Sequence, residues 1–239
     1  YFSDSGEWIL SNNDGDQQPR IYIPANAYAL IAGILPPEKN NHIVNLIKEH
    51  NISKHGYRLF YPPYNGTQTR TKVRLTTADL MPGIAENGVA YNHGGNGFFA
   101  KALAHLSKND DFYQTLRFIF PFNNPDARYA IVNYWPEIPN DKDRRGGKFL
   151  TASVSLAFRM IYKELLGIRH EIDGIVFDPH IPSTWKTMSA VYNWKNKVFY
   201  ITVKNTGTYR LKKKKKNITT TYHDFLRRKD ILLLPNKQI

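Results

Sequence analysis

The sequence contains no cysteine, which removes several classes of site from consideration. Disulfide bonds and zinc or iron–sulfur centres held by cysteine cannot form anywhere in the 239 residues. A metal site would need clustered histidine and acidic residues, and His180 has no such partners at useful spacing, so we predict no metal site.

The apolar runs fall short of the ~18 residues that a membrane span needs. Residues 1–25 lack the layout of a secretory signal. We therefore expect a cytoplasmic protein with no membrane partner.

Acidic residues are scarce compared with basic ones, but the imbalance belongs to one end of the chain. The net charge is +13, and residues 204–239 carry 11 Lys or Arg against two Asp, a net +9, which leaves +4 for the rest. A lysine run such as Lys212–Lys216 is typical of a solvated or disordered segment, so we do not expect nucleic acid as a partner. Residues 212–239 are either a divergent native tail or the product of a reading-frame slip in an adenine-rich tract.

Apolar patterns predict helices over the first two thirds of the chain, separated by long loops. In residues 37–50, Ile43 and Ile47 recur at helical spacing among polar residues. The predicted helices span residues 25–35, 37–50, 98–108, 110–120 and 150–168. Loops as long as residues 51–92 and 121–147 are usually functional or disordered.

The pattern changes from helical to strand-like after Gly167. Residues 174–182 are short and β-rich, and residues 188–205 alternate around a turn near residues 193–197, which predicts a hairpin. We therefore predict a mainly α fold with a β C-terminal part, divided near residue 171. The predicted domains are residues 1–171, residues 172–205 and a basic tail at residues 206–239.

A glycine-rich polar loop, GIAENGVAYNH at residues 83–93, ends at the start of a predicted helix. It supplies one carboxylate, Glu86, and one imidazole, His93. A histidine at a helix start can bind an anion, because the helix dipole and the first amide groups favour negative charge there. A carboxylate can accept strong hydrogen bonds from sugar hydroxyls. Taken alone, His93 is better explained as a histidine that caps or packs at a helix N-terminus, and the alternative for Glu86 is a solvated loop acid.

Six short motifs occur in order along residues 1–205: YRLFYPPY, GIAENGVAYNHGG, LTASVSLAFR, LLGIR, DGIVFDPHIPSTWK and FYITVKN. In this order and spacing they resemble the C-terminal third of the glycoside hydrolase family 94 phosphorylases. The resemblance implies part of an (α/α)6 barrel followed by a β-sandwich element. It also implies inverting phosphorolysis of a β-glucosidic bond to give a sugar 1-phosphate. The partners would be a β-linked disaccharide or oligosaccharide and inorganic phosphate, with no cofactor.

The resemblance implies roles for four residues. His93 matches the family's phosphate-binding histidine, and Glu86 matches a glutamate that contacts sugar. Thr151 and Ala152 stand where the family has Thr-Gly, a phosphate contact through a hydroxyl and a backbone N–H. The alternative for Thr151 is an ordinary helix N-cap. Ala152 departs from the family, since it adds a Cβ where glycine allows close backbone approach.

Two further positions depart from the family, and several aromatic residues are candidate sugar platforms. Ala85 replaces a basic residue that often precedes the glutamate in cellobiose phosphorylases, which puts a cellobiose acceptor in doubt. Leu156 stands where a tryptophan is usual. The candidate platforms are Tyr61, Tyr64 and Trp135, with core packing as the alternative for each.

The family's general acid is an aspartate in a motif that has no match in residues 1–239. Asp14 and Asp16 lie in a segment that follows the catalytic region in the family, so neither is assigned and no catalytic residue is predicted. The chain also begins at Tyr1 rather than methionine, which indicates either processing or a fragment. We therefore expect a C-terminal fragment that is inactive alone, from a longer and homodimeric phosphorylase. The alternative is a non-catalytic remnant that binds sugar or has a structural role.

Overall fold

Helices and short antiparallel strand pairs make up two compact units. The computed structural model describes residue 3 and residues 6–9, 18–64, 87–120, 152–171, 174–194 and 197–205. Unit 1 spans Tyr1–Met160 and unit 2 spans Ile161–Ile239. The mixture of helices with small antiparallel sheets agrees with the predicted class of mainly α structure followed by β structure. The division near residue 171 stays a prediction about domains.

The described part of unit 1 contains five α-helices. They are α1 (Ile23–Ala32), α2 (Pro37–Leu46), α3 (Phe98–His105), α4 (Asn109–Ile119) and α5 (Ala152–Arg159). Three π-helical segments adjoin them: Ile47–Asn51 after α2, Asn92–Gly97 before α3 and Met160–Leu165 after α5. Local chemistry sets the boundaries. Helix α1 ends at Gly33, whose φ of 62° is a left-handed conformation that favours glycine. Helix α4 begins with Asp110 and Asp111, whose charges suit a helix N-terminus.

Four two-residue strands accompany these helices. They are β1 (Ile21–Tyr22), β2 (Ile52–Ser53), β3 (Gly56–Tyr57) and β4 (Phe60–Tyr61). Strand β1 pairs antiparallel with β4, with Ile21 opposite Tyr61, and β2 pairs antiparallel with β3, with Ile52 opposite Tyr57. Three of them lie in the stretch from residue 51 to 92, where the sequence shows little regular signal. Two residues cannot display the alternation by which a strand is predicted.

The core of unit 1 forms where α3 packs against both α1 and α4. Helix α4 contributes Phe112, Leu116 and Ile119, which recur at helical spacing and are almost wholly buried. The neighbouring helical segments add further Ile, Leu, Val and Phe side chains that are at most 1% exposed. They are Ile23, Leu30, Ile43, Val44, Ile47, Phe99 and Leu103. The burial of Ile43 and Ile47 confirms the amphipathic pattern predicted for residues 37–50.

Unit 2 is built from two strand pairs. Its strands are β5 (Ile168–Glu171), β6 (Gly174–Phe177), β7 (Thr187–Trp194) and β8 (Lys197–Lys204). The hairpin of β7 and β8 confirms the prediction for residues 188–205, with Val191 opposite Tyr200. Strand β5 was not predicted, and it pairs antiparallel with β6. The core shared by both pairs consists of Ile168, Ile175, Phe177, Ile181, Met188, Phe199, Ile201 and Val203.

Tyr57 supplies a test of the core of unit 1. Its ring packs edge-on against Phe99 at 4.7 Å between centroids. Burial, reinforced by the charge of Asp111, raises the pKa of Tyr57 from 10.0 to about 12. The folded state therefore holds this proton more tightly than the unfolded state does. The associated stability is fully present below pH 10 and is lost as the pH rises from 10 to 12.

The unfolding free energy of the unsubstituted protein should fall as the pH rises from 9 to 12. In the Tyr57→Phe variant, we expect this fall to be smaller by roughly 2 kcal/mol, because the titrating hydroxyl is absent. Urea unfolding curves recorded at intervals across this range would measure the difference. Tyr28→Phe is the matched control, because the Tyr28 side chain is exposed. Parallel pH dependence of the unsubstituted protein and the Tyr57→Phe variant would contradict the assignment.

Candidate functional site

The second half of the predicted polar loop lies along the segment that contains β3 and β4. Residues 87–91 meet residues 57–64 through backbone and side-chain hydrogen bonds. Tyr91 N–H donates to the carbonyl of Tyr57 at 3.1 Å, and Ala90 forms an antiparallel bridge with Arg58. The loop is therefore fixed to a neighbouring piece of backbone immediately before it reaches His93.

Asn87 holds one end of this contact. Its carboxamide oxygen accepts the backbone N–H of Tyr64 at 2.7 Å, and its amide nitrogen donates to the carbonyl of the same residue at 2.7 Å. Both residues are fully buried. The side chain thus pairs with Tyr64 as a neighbouring strand would, and it satisfies two backbone groups that have left the solvent.

Arg58 holds the middle of the contact. Its Nε donates to the carbonyl of Gly88 at 3.1 Å, and one terminal nitrogen donates to the carbonyl of Ile52 at 2.6 Å. Gly88 has a φ of 73°, a conformation that favours glycine. The guanidinium therefore ties the turn at Gly88 to the neighbouring segment.

The Tyr64 ring rests on a second arginine. The Arg20 guanidinium carbon lies 3.9 Å from the centroid of the Tyr64 ring, in a cation–π contact. One terminal nitrogen of the same guanidinium donates to the carbonyl of Gln18 at 3.2 Å. Arg20 and Tyr64 are both fully buried. Tyr64 is thus held through its ring by Arg20 and through its backbone by Asn87. This burial favours the core-packing interpretation of Tyr64 over the sugar-platform interpretation.

Glycines allow the helix start to pack closely against β3. A Cβ at Gly95 would overlap the carbonyl oxygen of Tyr57, and a Cβ at Gly94 would overlap the side chain of Leu59. A Cβ at Gly97 would overlap the side chain of Leu156. The run of glycines in NHGGNG therefore permits close packing on two sides.

Asn96 adds a polar connection at the same place. Its carboxamide oxygen accepts the backbone N–H of Tyr57 at 2.7 Å, and its amide nitrogen donates to the side-chain oxygen of Asn92 at 3.1 Å. Asn96 is fully buried and Asn92 is 2% exposed. Both backbone groups of Tyr57 are consequently bonded to this region, one to Asn96 and the other to Tyr91.

His93 lies in the first turn of the π-helical segment that leads into α3. It is partly buried, and its ring centroid lies 4.8 Å from that of Phe98. Phe98 in turn packs against Tyr28 at 5.1 Å, and 54% of Tyr28 is exposed. Backbone amides and the positive end of the helix dipole at this terminus favour an anion beside the imidazole.

Tyr28 is a feature that sequence analysis missed. The sequence predicts a helix over residues 25–35, whereas in the structure the Tyr28 ring is exposed and contacts Phe98, which in turn contacts His93. Its neighbours Ala27 and Ala29 are buried. A large aromatic residue among small ones in a buried helix was the available signal.

The structure describes only some of the predicted site residues. Glu86, Thr151 and Trp135 lie outside the described residues, as do Ala85, Asp14 and Asp16. Ala152 is exposed at the start of α5. Helix α5 packs against the π-helical segment that carries His93, with Leu156 close to Gly97. The two helix starts that were predicted to bind phosphate therefore belong to elements that contact each other.

The described residues contain neither a cluster of metal-binding side chains nor a helix that could cross a membrane. In the part of the chain that the structure describes, no three His, Cys, Asp or Glu side chains come together to hold a metal ion. Among the same residues, every helix is too short or too polar to cross a membrane.

Comparison with known proteins identifies the family. Residues 2–167 match the model of the glycosyl hydrolase 94 superfamily catalytic domain, and the chain therefore belongs to this family. The match includes all of the helices described in unit 1 and the residues around His93.

Three curated relatives illustrate the similarity. The cellobionic acid phosphorylase of Neurospora crassa is 29% identical over 202 residues, which cover 79% of this chain and 25% of that protein. The N,N′-diacetylchitobiose phosphorylase of Vibrio proteolyticus is 24% identical over 224 residues, covering 85% of this chain and 27% of the relative. The solabiose phosphorylase of Paenibacillus borealis is 24% identical over 212 residues, with the same two coverages. The chain thus spans about a quarter of the length of these three relatives.

Gly95 offers a test of the close packing between the helix start and β3. We expect Gly95→Ala to destabilise unit 1 by about 3 kcal/mol, at the upper end of the usual cost of overpacking, since the new methyl group must displace the Tyr57 carbonyl that accepts the Tyr91 N–H. Thermal or urea unfolding measures this loss. Gly33→Ala is the control, because the space around Gly33 is open and only its positive φ is unfavourable, at a cost of about 1 kcal/mol. Equal losses in the two variants would contradict the close packing.

Proposed function

We propose that this chain is the C-terminal part of an inverting carbohydrate phosphorylase, which cleaves a β-glucosidic bond with inorganic phosphate. Membership of the family supports the reaction class, and the names of the relatives support sugar and phosphate as the substrates. An oxygen of phosphate attacks the anomeric carbon while the bond from that carbon to the leaving oxygen breaks. The leaving oxygen takes a proton from the general acid, and the products are a sugar 1-phosphate and a shortened sugar.

The observation that carries the proposal is the placement of His93. Its side chain lies in the first turn of a helical segment and rests on Phe98. Imidazole N–H groups and helix amides are suitable donors to phosphate oxygens, and hydrogen bonds to a charged acceptor are stronger than neutral ones. In this proposal Thr151 and Ala152 supply the second set of phosphate contacts, at the start of α5.

The sugar is proposed to lie on the loop side of the same site. Glu86 directly precedes the buried Asn87 in the chain, and its carboxylate would accept hydrogen bonds from sugar hydroxyls. The exposed ring of Tyr28 provides an apolar face for a sugar ring. Carboxylate and aromatic face together suit a ligand that has both polar edges and apolar faces.

The architecture and setting form part of the same proposal. Unit 1 would be the C-terminal part of an (α/α)6 barrel, and the strand pairs of unit 2 would belong to a β-sandwich. The longer enzyme would be a cytoplasmic homodimer with no nucleic acid or membrane partner. These statements stay predictions.

A non-catalytic, sugar-binding or structural remnant is the second candidate function. The observation that favours it is the absence of the family's general-acid motif from residues 1–239. Gene sequence that encodes this motif in a continuous reading frame before Tyr1 would favour the enzyme, and its absence would favour the remnant.

Substitution of His93 tests the phosphate role. In a full-length enzyme that contains this sequence, we expect His93→Ala to raise KM for phosphate about ten- to a hundredfold, because a hydrogen bond to a charged group is lost. KM for the sugar should change much less. Steady-state kinetics with whichever of cellobionic acid, N,N′-diacetylchitobiose and solabiose is cleaved would measure both constants. His42→Ala, at an exposed position of α2, is the control. Equal changes in both constants would remove His93 from the phosphate role.

A second test concerns the isolated chain. We expect the purified 239-residue protein to release no sugar 1-phosphate from the same three disaccharides, because it carries no general acid. Enzymatic detection of sugar 1-phosphate against a protein-free blank measures this. Release above the blank would contradict the assignment of the general acid to another part of the enzyme.

A further inference from the structure

We propose that Asn96 is a positioning residue for His93 and that it acts through Asn92. This inference rests on the proposed phosphate role of His93. Asn96 touches neither sugar nor phosphate in the proposal. It fixes the turn from which the imidazole projects.

The connection runs through two hydrogen bonds. The Tyr57 N–H donates to the Asn96 oxygen at 2.7 Å, and the Asn96 amide donates to the Asn92 oxygen at 3.1 Å. Asn92 directly precedes His93 in the chain. The two bonds thereby link the turn that carries the imidazole to β3. Tyr57 of β3 lies 39 positions before Asn96 in the sequence.

Asn96 differs from the other asparagine side chains that hold loop backbone in unit 1. Asn26 bonds to the backbone of Trp8 and Tyr22, Asn51 donates to two backbone carbonyls, and Asn87 bonds to the backbone of Tyr64. Asn96 also donates to a side chain, that of Asn92, which directly precedes His93 in the chain.

Burial gives the connection its rigidity. Asn96 is 0% exposed and Asn92 is 2% exposed, so water cannot readily replace either partner. A Cβ at Gly56 would overlap the Asn96 carboxamide, which shows that β3 lies directly against this side chain. Positioning matters because small displacements of a binding group lower the affinity for a ligand that needs defined geometry.

The test is a double-mutant cycle in a full-length enzyme that contains this sequence. Asn96→Leu removes both bonds, whereas Asn92→Leu removes the bond between the asparagines and retains the bond from Tyr57 to Asn96. We expect each variant to raise KM for inorganic phosphate about tenfold, with KM for the cleaved disaccharide changed less than about twofold. The double variant should resemble either single variant, because both interrupt the same connection.

Asn26→Leu is the matched control. Asn26 is equally buried and bonds to the backbone of Trp8, so its loss should lower stability without raising KM for phosphate. If Asn96→Leu fails to fold, Asn92→Leu compared with Asn26→Leu supplies the decisive measurement. The inference is supported if Asn92→Leu raises KM for phosphate but not KM for the disaccharide, and if Asn26→Leu does not raise KM for phosphate.

The outcomes separate this inference from the proposed function. If His93→Ala leaves KM for phosphate unchanged, the phosphate role of His93 and this inference are both overturned. If His93→Ala raises that constant but the Asn92 and Asn96 variants do not, only this inference is overturned. Additive effects in the double variant would also overturn it, because they would show two independent contributions.

Discussion

Loop backbone that leaves the solvent has to find hydrogen-bond partners, and in unit 1 asparagine side chains supply many of them. Asn26, Asn51, Asn87 and Asn96 are all fully buried, and each bonds to backbone distant from it in sequence. A carboxamide carries one acceptor and two donors, so it can pair with a peptide group as another strand would. The irregular segments around β1 to β4 are therefore ordered by side chains rather than by extended strand ladders.

The glycines beside these asparagines complete the same arrangement. The Asn96 carboxamide can reach Tyr57 because Gly95 lets the helix start approach the β3 backbone, and because Gly56 has no Cβ to obstruct it. A side chain larger than that of glycine at either position would push the hydrogen-bonding groups apart. Polar pairing and close backbone packing thus depend on each other around His93. A glycine-rich helix start, which lowers helix stability in isolation, is stabilised here by its contacts.

The helices could be predicted from sequence because their signal is local. The spacing of Phe112, Leu116 and Ile119 within α4 reflects burial on one face, and proline, glycine and aspartate mark several ends. The hairpin of β7 and β8 was predictable for the same reason. The strands β1 to β4 were not, since two residues carry no periodic pattern. His93 was predictable at a helix start. The hydrogen bond between Tyr57 and Asn96 that holds this helix start was not, because the two residues stand 39 positions apart and no periodic pattern connects them.

The structural support around His93 also bears on how one family can serve different sugars. The relatives are named for cellobionic acid, diacetylchitobiose and solabiose, whereas phosphate is common to every phosphorylase. A group that binds the invariant substrate gains from rigidity, because a fixed donor loses little entropy when it binds phosphate. His93 has such support, since its ring rests on Phe98 and its turn is held against β3. In the proposed function, these contacts make the phosphate side of the site rigid. Differences in sugar specificity would then arise in other loops, whose sequence can vary without moving the phosphate.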